Sequence, residues 1–188
     1  MTNMAYTSGA PRPDTQQLAI ILVGLPARGK SYIARKVARY LAWLGWSTRV
    51  FNVGTYRRSR LGAHHREDFF SPDNPEGLKQ REEIAMQALN DMIQWMAAGG
   101  EVGIYDATNN NKKRRDLIRT HLKQADIQPL FIESLTEDLS VVEANIRETK
   151  ISSPDYAGVD ATEAVSDFRA RIAHYERTYE PLGEDESN

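Results

Sequence analysis

Apolar residues along the chain alternate between short unbroken runs and stretches with helical spacing. Residues 18–23 form an unbroken apolar run that ends in a glycine-containing loop, which predicts a buried parallel strand. After the loop, apolar side chains recur three and four positions apart up to Gly45, so a helix follows. Further strands are predicted at 48–53, 102–105 and 129–133, and further helices at 76–99, at 111–124, from 140 onward and at 161–179.

The order of these elements indicates the fold class. Strands that alternate with helices over short links form an α/β fold, here a parallel sheet of about four to five strands with helices on both faces. Ser140 and Glu143 have capping-box spacing, and Asp160 is the expected N-cap of the last helix. A loop rich in Gly, His, Asp and Pro is expected after the second strand. One domain over 18–182 therefore holds the fold, between a flexible leader at 1–17 and an acidic tail at 183–188.

Composition and net charge limit the kinds of molecule that the chain is expected to bind. Hydrophobic residues make up 40% and charged residues 27%, a balance typical of globular chains. With 24 Lys and Arg against 26 Asp and Glu, the net charge of −2 gives no general attraction to nucleic acid or anionic lipid, so any anion site must be local. The longest apolar run, 18–23, is too short to cross a membrane. The sequence has no cysteine, so nothing indicates an oxidising compartment and we expect a cytoplasmic protein.

The loop after the first strand carries the candidate chemistry. Residues 24–31 read Gly-Leu-Pro-Ala-Arg-Gly-Lys-Ser and match G-x-x-x-x-G-K-[ST] between a predicted strand and a predicted helix. The backbone N–H groups of such a loop face a phosphate, Lys30 can reach the β- and γ-phosphates, and Ser31 can ligate Mg²⁺. A glycine turn that matches by chance is disfavoured because both flanking elements are present. The pattern predicts an ATP-dependent small-molecule kinase with the P-loop nucleoside triphosphate hydrolase fold.

A carboxylate and several basic groups are predicted at the same edge of the sheet. Asp106 follows the third strand and could hold Mg²⁺ or take the acceptor's hydroxyl proton, although it could also be only a helix cap. Basic runs on protein surfaces are usually just solvated. Two of those here begin at the carboxyl ends of strands, which favours a second anion pocket for a phosphorylated acceptor. These two runs are Arg57, Arg58 and Arg60 after the second strand, and Lys112, Lys113, Arg114 and Arg115 after the third. A further basic pair, Arg169 and Arg171, lies in the last helix.

Several segments together resemble one family. They are 24–32 (GLPARGKSY), 51–54 (FNVG), 56–58 (YRR), 106–109 (DATN), 131–134 (FIES) and 150–156 (KISSPDY). In combination they resemble the kinase half of the 6-phosphofructo-2-kinase/fructose-2,6-bisphosphatase family, over about residues 20–182. The resemblance implies that the chain uses ATP and Mg²⁺ and phosphorylates fructose 6-phosphate at its 2-hydroxyl.

The resemblance also implies roles for individual residues. It places ATP against Gly24, Leu25, Pro26, Ala27, Arg28, Gly29, Lys30, Ser31 and Tyr32, and against the stretch from Asn145 to Lys150. It gives Asp106 as the active-site acid, so that Lys30, Asp106 and Lys150 are the candidate catalytic groups and Ser31 and Asp106 the candidate metal ligands. It implies that fructose 6-phosphate is held by Arg57, Arg81, Thr108, Arg114, Lys150, Arg171 and Tyr175. Of these, Arg81, Lys150 and Tyr175 rest on the resemblance alone.

The sequence departs from the family in three respects. Thr136 stands where the animal enzymes have an active-site cysteine, and Thr55 stands where an acidic residue precedes the Tyr-Arg-Arg segment. Beyond residue 182 the family's kinase domain continues into a further strand and helix, so we expect a sheet without its final strand, an exposed edge and self-association into a homo-oligomer. The Arg-His-Gly motif of the phosphatase half is not in the sequence, so no bisphosphatase activity is expected.

Three functions remain open from the sequence. The first is phosphorylation of fructose 6-phosphate. The second keeps ATP and the fold but changes the acceptor to another sugar phosphate, a nucleoside or a polynucleotide end, although nucleic acid is a poor match to the net charge. The third is an ATP-binding module without catalysis, a function that Thr136 and the missing strand favour.

Overall fold

The computed structural model describes residues 16–186, and this part of the chain forms four β-strands and six α-helices. The strands are β1 (Leu18–Val23), β2 (Thr48–Asn52), β3 (Val102–Asp106) and β4 (Gln128–Glu133). The helices are α1 (Lys30–Trp43), α2 (Val53–Leu61), α3 (Pro75–Ala97), α4 (Lys112–Gln124), α5 (Leu139–Asn145) and α6 (Ala161–Glu176). Short turns lie at Glu67–Phe70, Ile146–Lys150, Pro154–Tyr156 and Glu184–Glu186, the second of them a π-helical turn.

The sheet is parallel throughout, with strand order β2-β3-β1-β4. The central strand β1 pairs with β3 and β4, with Leu18 opposite both Val102 and Gln128. The predicted α/β class and parallel sheet are confirmed. Because all strands run the same way, the residues that follow β1, β2 and β3 meet at one edge of the sheet, where ligands bind in folds of this kind.

Both faces of the sheet are covered, which accounts for the unbroken apolar sequence of β1. One face packs against α3 and α4 through a cluster that includes Ala19, Ile21, Val23, Leu89, Met92, Ile118 and Leu122. The opposite face packs against α1 through Ile20, Leu22, Ala34, Ala38 and Ile104. A third cluster joins α5 and α6 to the loop after β1 and contains Ala27, Val142, Ile146, Tyr156, Phe168 and Ile172. This third cluster fixes α6 over the loop.

The element bounds differ from the predicted ones in three places. The segment after β2, predicted as a loop, begins with helix α2, whose N-cap is Asn52: its side-chain oxygen accepts from the backbone N–H of Thr55 at 2.8 Å. Helix α5 begins at Leu139 with Asp138 as its N-cap, because the Asp138 carboxylate accepts from the Ser140 N–H at 2.8 Å. Asp160 caps α6 as predicted, but the helix ends at Glu176.

The two predicted terminal segments are described only in part. Residues 1–15 of the leader and 187–188 of the tail lie outside the described residues. Gln17, at the end of the leader, is held by the fold: its amide donates to the carbonyl oxygens of Met96 and Gly100, both at 2.6 Å. Between 16 and 186, no helix has the length and apolar character needed to cross a bilayer.

The tail is attached through a buried ion pair. Arg115 on α4 and Glu186 are 0% and 1% exposed, and the two carboxylate oxygens of Glu186 accept from Nε and Nη2 of Arg115 at 2.7 Å each. The remaining guanidinium N–H groups donate to backbone carbonyls of Asn109, Glu180 and Pro181 at 2.9–3.2 Å. The bidentate contact lowers the pKa of Glu186. Its contribution to stability is therefore present above the ordinary carboxyl pKa and is lost as the pH falls.

We expect Glu186→Gln to lower the free energy of unfolding by about 3 kcal/mol, because it leaves the buried charge of Arg115 without a counter-ion while three carbonyls still accept from it. The matched control is Asp185→Asn, which breaks the exposed ion pair between Asp185 and Lys112 and should leave stability within experimental error. Urea unfolding at pH 7 measures both variants. If both variants lowered the free energy of unfolding by the same small amount, the buried ion pair of the tail would not contribute to stability.

Candidate active site

The loop between β1 and α1 has the backbone shape of a phosphate cradle. Gly24, Ala27 and Gly29 have φ angles of 133°, 59° and 83°, in the region that favours glycine. A Cβ on Gly24 would lie 2.6 Å from the carbonyl oxygen of Ser134, so a side chain is excluded there. Helix α1 begins at Lys30, and its first turn has no acidic residue. The unpaired N–H groups and the positive end of the helix dipole are therefore free to face an anion.

Lys30 lies inside this cradle. It is 8% exposed, and its Nζ donates to the carbonyl oxygen of Leu25 at 2.5 Å, so the ammonium group is turned back onto the loop. Burial lowers the pKa of Lys30 to about 7, and the nearby Asp106 carboxylate only partly opposes this shift. An incoming polyanion would favour the charged form, which is the form that binds phosphate.

A single amide links the two predicted metal ligands. The Nδ2 group of Asn52 donates to Asp106 Oδ2 at 2.5 Å and lies 3.5 Å from Ser31 Oγ. Asp106 ends β3, is buried, and is adjacent to Asn52 at the end of β2 in the sheet. Within residues 16–186 no three acidic or histidine side chains are grouped as a metal site. One carboxylate and one hydroxyl fit Mg²⁺, which takes its remaining ligands from water and substrate phosphates.

Three polar contacts brace the loop from neighbouring segments. Asn145, at the end of α5, donates from its side-chain amide to the carbonyl oxygen of Ala27 at 3.0 Å. The hydroxyl of Ser134 donates to the carbonyl oxygen of Arg28. The backbone N–H of Gly24 donates to the carbonyl oxygen of Thr108 at 3.0 Å. Asn145 and Thr108, predicted as ligand contacts, thus hold the loop in shape.

A cluster of arginines lines the same cleft as the phosphate loop. Arg57 and Arg58 on α2 and Arg171 on α6 surround the carboxylate of Asp155; these four residues are called the arginine cluster below. The ring of Phe70 lies beneath it, with the Arg171 guanidinium 3.6 Å from the ring centroid. This arrangement concentrates positive charge in a partly desolvated place, as a phosphate pocket requires.

Lys150 is electrostatically coupled to both the loop and the arginine cluster, because its charge acts on Lys30 and the charges of Arg171 and Arg58 act on it. It ends the π-helical turn Ile146–Lys150, and burial, followed by the charge of Arg171, lowers its pKa. The Asp106 carboxylate acts on Lys150 in the opposite direction. Because Lys150 and Lys30 both experience the charge of Asp106, the two ammonium groups and this carboxylate belong to one electrostatic unit.

The remaining predicted acceptor residues extend this basic surface. Arg81 on α3 donates to the carbonyl oxygens of Gly77 and Ser71, both at 3.1 Å, and lies over the ring of Tyr175. Although burial acts to raise the pKa of Tyr175, the charges of Arg171 and Arg81 bring it below its ordinary value. Arg114 on α4 is held by Asn109, whose side-chain oxygen accepts from Nε at 3.2 Å.

One cleft of about 2080 Å³ brings these residues together. Single small-molecule sites usually occupy about 300–1,000 Å³, so this cleft has room for two ligands side by side. The predicted residues that line it are Pro26, Ala27, Arg28, Gly29, Lys30, Ser31, Tyr32, Arg57, Arg81, Asp106, Thr108, Arg114, Asn145, Lys150, Arg171 and Tyr175. Gly24 and Leu25, which begin the loop, are not among the described residues that line the cleft.

The departures from the family fall in different places. Thr55 lines the cleft and takes part in its hydrogen bonds: its hydroxyl donates to Asn52 Oδ1 at 3.2 Å and accepts from Arg58. Thr136 is half-buried in the loop before α5 and is not among the described residues that line the cleft. A threonine at this position therefore leaves the groups that face the cleft unchanged.

Sequence reasoning assigned no role to three residues of this region. Asn52 could have been found, because it ends β2 in the same way that Asp106 ends β3. Phe70 and Asp155 belong to turns that the hydrophobic pattern does not predict, and only the packing of α6 brings them beside Arg57 and Arg171.

Solved structures share this fold. An APS kinase of Mycobacterium tuberculosis, solved in complex with AMPPNP and APS, superposes with a TM-score of 0.54 over 74% of this chain and 75% of its own, at 17% identity. The crystal structure of APE1195 gives a TM-score of 0.59 over 94% and 86% of the two chains, at 18% identity. These similarities establish the P-loop kinase fold alone.

Closer relatives are similar in sequence. The 6-phosphofructo-2-kinase/fructose-2,6-bisphosphatase 3 of Homo sapiens is 45% identical over 179 residues, which cover 95% of this chain and 34% of the human protein. The 6-phosphofructo-2-kinase/fructose-2,6-bisphosphatase of Arabidopsis thaliana is 48% identical over 175 residues, 93% of this chain and 23% of the plant protein. The chain thus spans about a third or less of these relatives. The model of the family described as 6-phosphofructo-2-kinase matches residues 6–188, so the chain belongs to the 6-phosphofructo-2-kinase family.

Proposed function

We propose that the chain transfers the γ-phosphoryl group of ATP to the 2-hydroxyl of fructose 6-phosphate. The observation that carries the proposal is that one cleft contains two candidate anion sites. The phosphate cradle with Lys30 and the arginine cluster both line this cleft, and the charges of Asp106, Lys150 and Arg171 all act on Lys30. The family and its 45% identical relatives support fructose 6-phosphate as the acceptor.

The nucleotide fits the loop end of the cleft. Backbone N–H groups from the loop and the start of α1 would hold the β- and γ-phosphates, and Lys30 would exchange its contact with the Leu25 carbonyl for a phosphate oxygen. Ser31 and Asp106 would hold Mg²⁺, whose chemistry is to neutralise the charge of the phosphates. Asn52 keeps both groups in place through one amide.

The sugar phosphate fits the part of the cleft that the arginine cluster lines. Arg57, Arg81, Arg114, Arg171 and Tyr175 would bind its 6-phosphate, and Thr108 and Lys150 would contact the rest of the sugar. The step forms a bond between the 2-oxygen and the γ-phosphorus and breaks the bond between that phosphorus and the β–γ bridging oxygen, which leaves with ADP. Asp106 accepts the proton of the hydroxyl, and Lys30 and Lys150 stabilise the charge on the transferring group.

The acceptor assignment is tested with Arg114→Ala. Losing one charge-assisted contact worth roughly 1.5–3 kcal/mol should lower kcat/KM for fructose 6-phosphate by about 10- to 150-fold, with little change in the KM for ATP. Unphosphorylated fructose should be a poor acceptor for the parent, because it leaves the arginines unpaired, and the variant should lose most of this discrimination. Steady-state kinetics at fixed ionic strength measure both sugars.

The matched control is Arg119→Ala, which makes the same substitution on the same helix outside the described lining of the cleft. It should leave both sugars unaffected. Equal losses on fructose and fructose 6-phosphate in Arg114→Ala would overturn the sugar-phosphate assignment. A parent that prefers a nucleoside or a polynucleotide end would do the same, and tight ATP binding without turnover on any acceptor would favour a binding module.

A further inference from the structure

One fully buried polar side chain beside the cleft has no part in the reaction described above. Asn109 lies in the turn between β3 and α4, is 0% exposed, and is not among the described residues that line the cleft. Its φ angle is 44°, in the left-handed region, which asparagine, aspartate and glycine tolerate best. A polar group buried in this way costs free energy unless it is hydrogen-bonded, so its partners indicate what it does.

The side chain of Asn109 joins two parts of the site. Its Nδ2 group donates to the carbonyl oxygen of Leu22 at 2.7 Å, on the strand that leads into the phosphate loop. Its Oδ1 atom accepts from Nε of Arg114 at 3.2 Å, on helix α4. A carbonyl only accepts and a guanidinium only donates, so the two partners fix the orientation of the amide. Ionised aspartate has no donor and glycine has no side chain, so neither could make both contacts.

The backbone on both sides of Asn109 is held as well. The N–H of Gly24 donates to the carbonyl oxygen of Thr108 at 3.0 Å, and the carbonyl oxygen of Asn109 accepts from Nη1 of Arg115 at 3.2 Å. The turn is thus tied to the start of the phosphate loop on one side and to α4 on the other. The amide of Asn109 therefore sets the place of Arg114 relative to the phosphate loop.

Arg114 differs from other basic residues of α4 in its partners. Lys112, Arg115 and Arg119 each pair with a carboxylate, whereas among the described residues no ion pair involves Arg114. Burial raises the pKa of Tyr105, and Arg114 opposes this shift through its charge and through a hydrogen bond to the hydroxyl. The oxygens that contact Arg114 therefore belong to an amide and to a neutral phenol. Since no direct ion pair neutralises its charge, Arg114 can give that charge to an anionic ligand.

We propose that Asn109 is a positioning residue, which fixes Arg114 against β1 through a neutral oxygen, so that the guanidinium meets the phosphate of the acceptor in place and with its charge intact. The role rests on the proposed function, because it assumes that the acceptor carries a phosphate group. Asn109 itself does not line the cleft and acts through Arg114. It restricts a long side chain before the ligand arrives, which is preorganisation.

The direct test is Asn109→Gly, because glycine tolerates the left-handed backbone and removes the amide. We expect the KM for fructose 6-phosphate to rise about 10-fold, the order expected for a lost hydrogen bond to a charged group, with kcat and the KM for ATP changed by less than about 3-fold. Steady-state kinetics measure all three quantities. An unchanged KM for fructose 6-phosphate would overturn the proposal. An equal rise in the KM for both substrates would also overturn it, since the side chain would then serve only the fold.

The matched control is Glu186→Gln, which loosens the same turn through Arg115 instead of Arg114. Glu186 lies outside the described lining of the cleft, so its replacement should lower stability without a change in either KM. A KM for fructose 6-phosphate that rises as much in the control as in Asn109→Gly would count against the proposal. The cause would then be the loosened turn and not the lost contact with Arg114.

A second variant, Asn109→Asp, keeps the shape of the side chain if Asn109→Gly does not fold, and it tests whether the oxygen must be neutral. At pH 8 the carboxylate is ionised beside Arg114 and pairs with the guanidinium in competition with the ligand. The KM for fructose 6-phosphate should therefore rise by at least about 10-fold, even though Arg114 is still held. A KM equal to that of the parent would refute the proposal.

A double-mutant cycle with Arg114→Ala shows whether Asn109 acts through this arginine. Adding Asn109→Gly to Arg114→Ala should raise the KM for fructose 6-phosphate by less than about 3-fold further. If the two losses multiply instead, Asn109 contributes independently of Arg114 and the proposal is wrong.

The failure of the proposed function gives a different result. In that case the parent itself would not phosphorylate fructose 6-phosphate, whatever stands at position 109. The positioning role would still be decided by calorimetric titration with inorganic phosphate, while a non-hydrolysable ATP analogue occupies the phosphate loop. The dissociation constant for phosphate should rise about 10-fold in Asn109→Gly and stay unchanged in Glu186→Gln. Equal affinity of the parent and Asn109→Gly for phosphate would overturn the positioning role.

Discussion

Lys30→Ala should lower kcat by on the order of 10³-fold and leave the protein folded, because Lys30 is the cation that lies within the phosphate cradle. The loss should appear in kcat more than in the KM for either substrate, since the charge to be stabilised grows in the transition state. The measurement is phosphoryl transfer at saturating ATP and fructose 6-phosphate. Retained turnover combined with a lower melting temperature would make Lys30 a structural residue.

The stability of a Lys30 variant has a predictable sign. Burial lowers the pKa of Lys30 to about 7, so between that pH and its ordinary value near 10.4 the unfolded chain binds more protons than the folded one. The stability of the parent therefore rises with pH over this range, and below pH 7 the fold carries the full cost of the buried charge. Lys30→Met removes this cost while keeping the shape. Its melting temperature relative to the parent should be highest at pH 6 and should fall toward pH 9.

Asp106→Asn should lower kcat by about 10²- to 10⁴-fold, because the amide neither accepts a proton from the acceptor hydroxyl nor supplies an anionic oxygen to Mg²⁺. The fold should be unaffected, since the new side chain still offers an oxygen to the Asn52 amide. Asp126→Asn is a matched control: Asp126 lies in the turn after α4 with a φ of 57°, a conformation that asparagine accepts readily.

Kinetics and thermal unfolding of the two variants separate the possible roles of Asp106. Lost turnover with an unchanged melting temperature is the expected result. Near-normal turnover in Asp106→Asn would reduce Asp106 to a residue that anchors the end of β3 through Asn52.

The pattern of strands and helices predicted most of the sheet. Both faces of a parallel sheet are covered by helices, so its strands are apolar on both sides and can be recognised as unbroken apolar runs. Helix α2 was missed because its start depends on the Asn52 cap and its few apolar residues give no period. The phosphate loop was predicted from its match to G-x-x-x-x-G-K-[ST] between a strand and a helix, and Asp106 was predicted from its position at the end of a strand.

The acceptor side of the cleft was less predictable for a physical reason. Arg57 and Arg171 come from helices that are far apart in sequence, and the contact that joins them is Asp155 in an irregular turn. Local patterns do not report such a contact. Arg81 and Tyr175 lie on helices whose sequences reveal only the spacing of their packed residues. These two residues were therefore predicted from the family resemblance alone.

The strand order has a consequence for how the chain acquires its structure. Within the described sheet, β1 pairs with β3 and β4 but not with β2, so the strand that leads into the phosphate loop has no hydrogen-bonded neighbour until the chain has reached Val102. During synthesis, the apolar segment Leu18–Val23 therefore has no strand partner while α1, β2, α2 and α3 are being made. Such long-range pairing slows folding and prolongs the exposure of aggregation-prone strands. The central strand that leads into the phosphate loop is thus a segment that needs protection in the nascent chain.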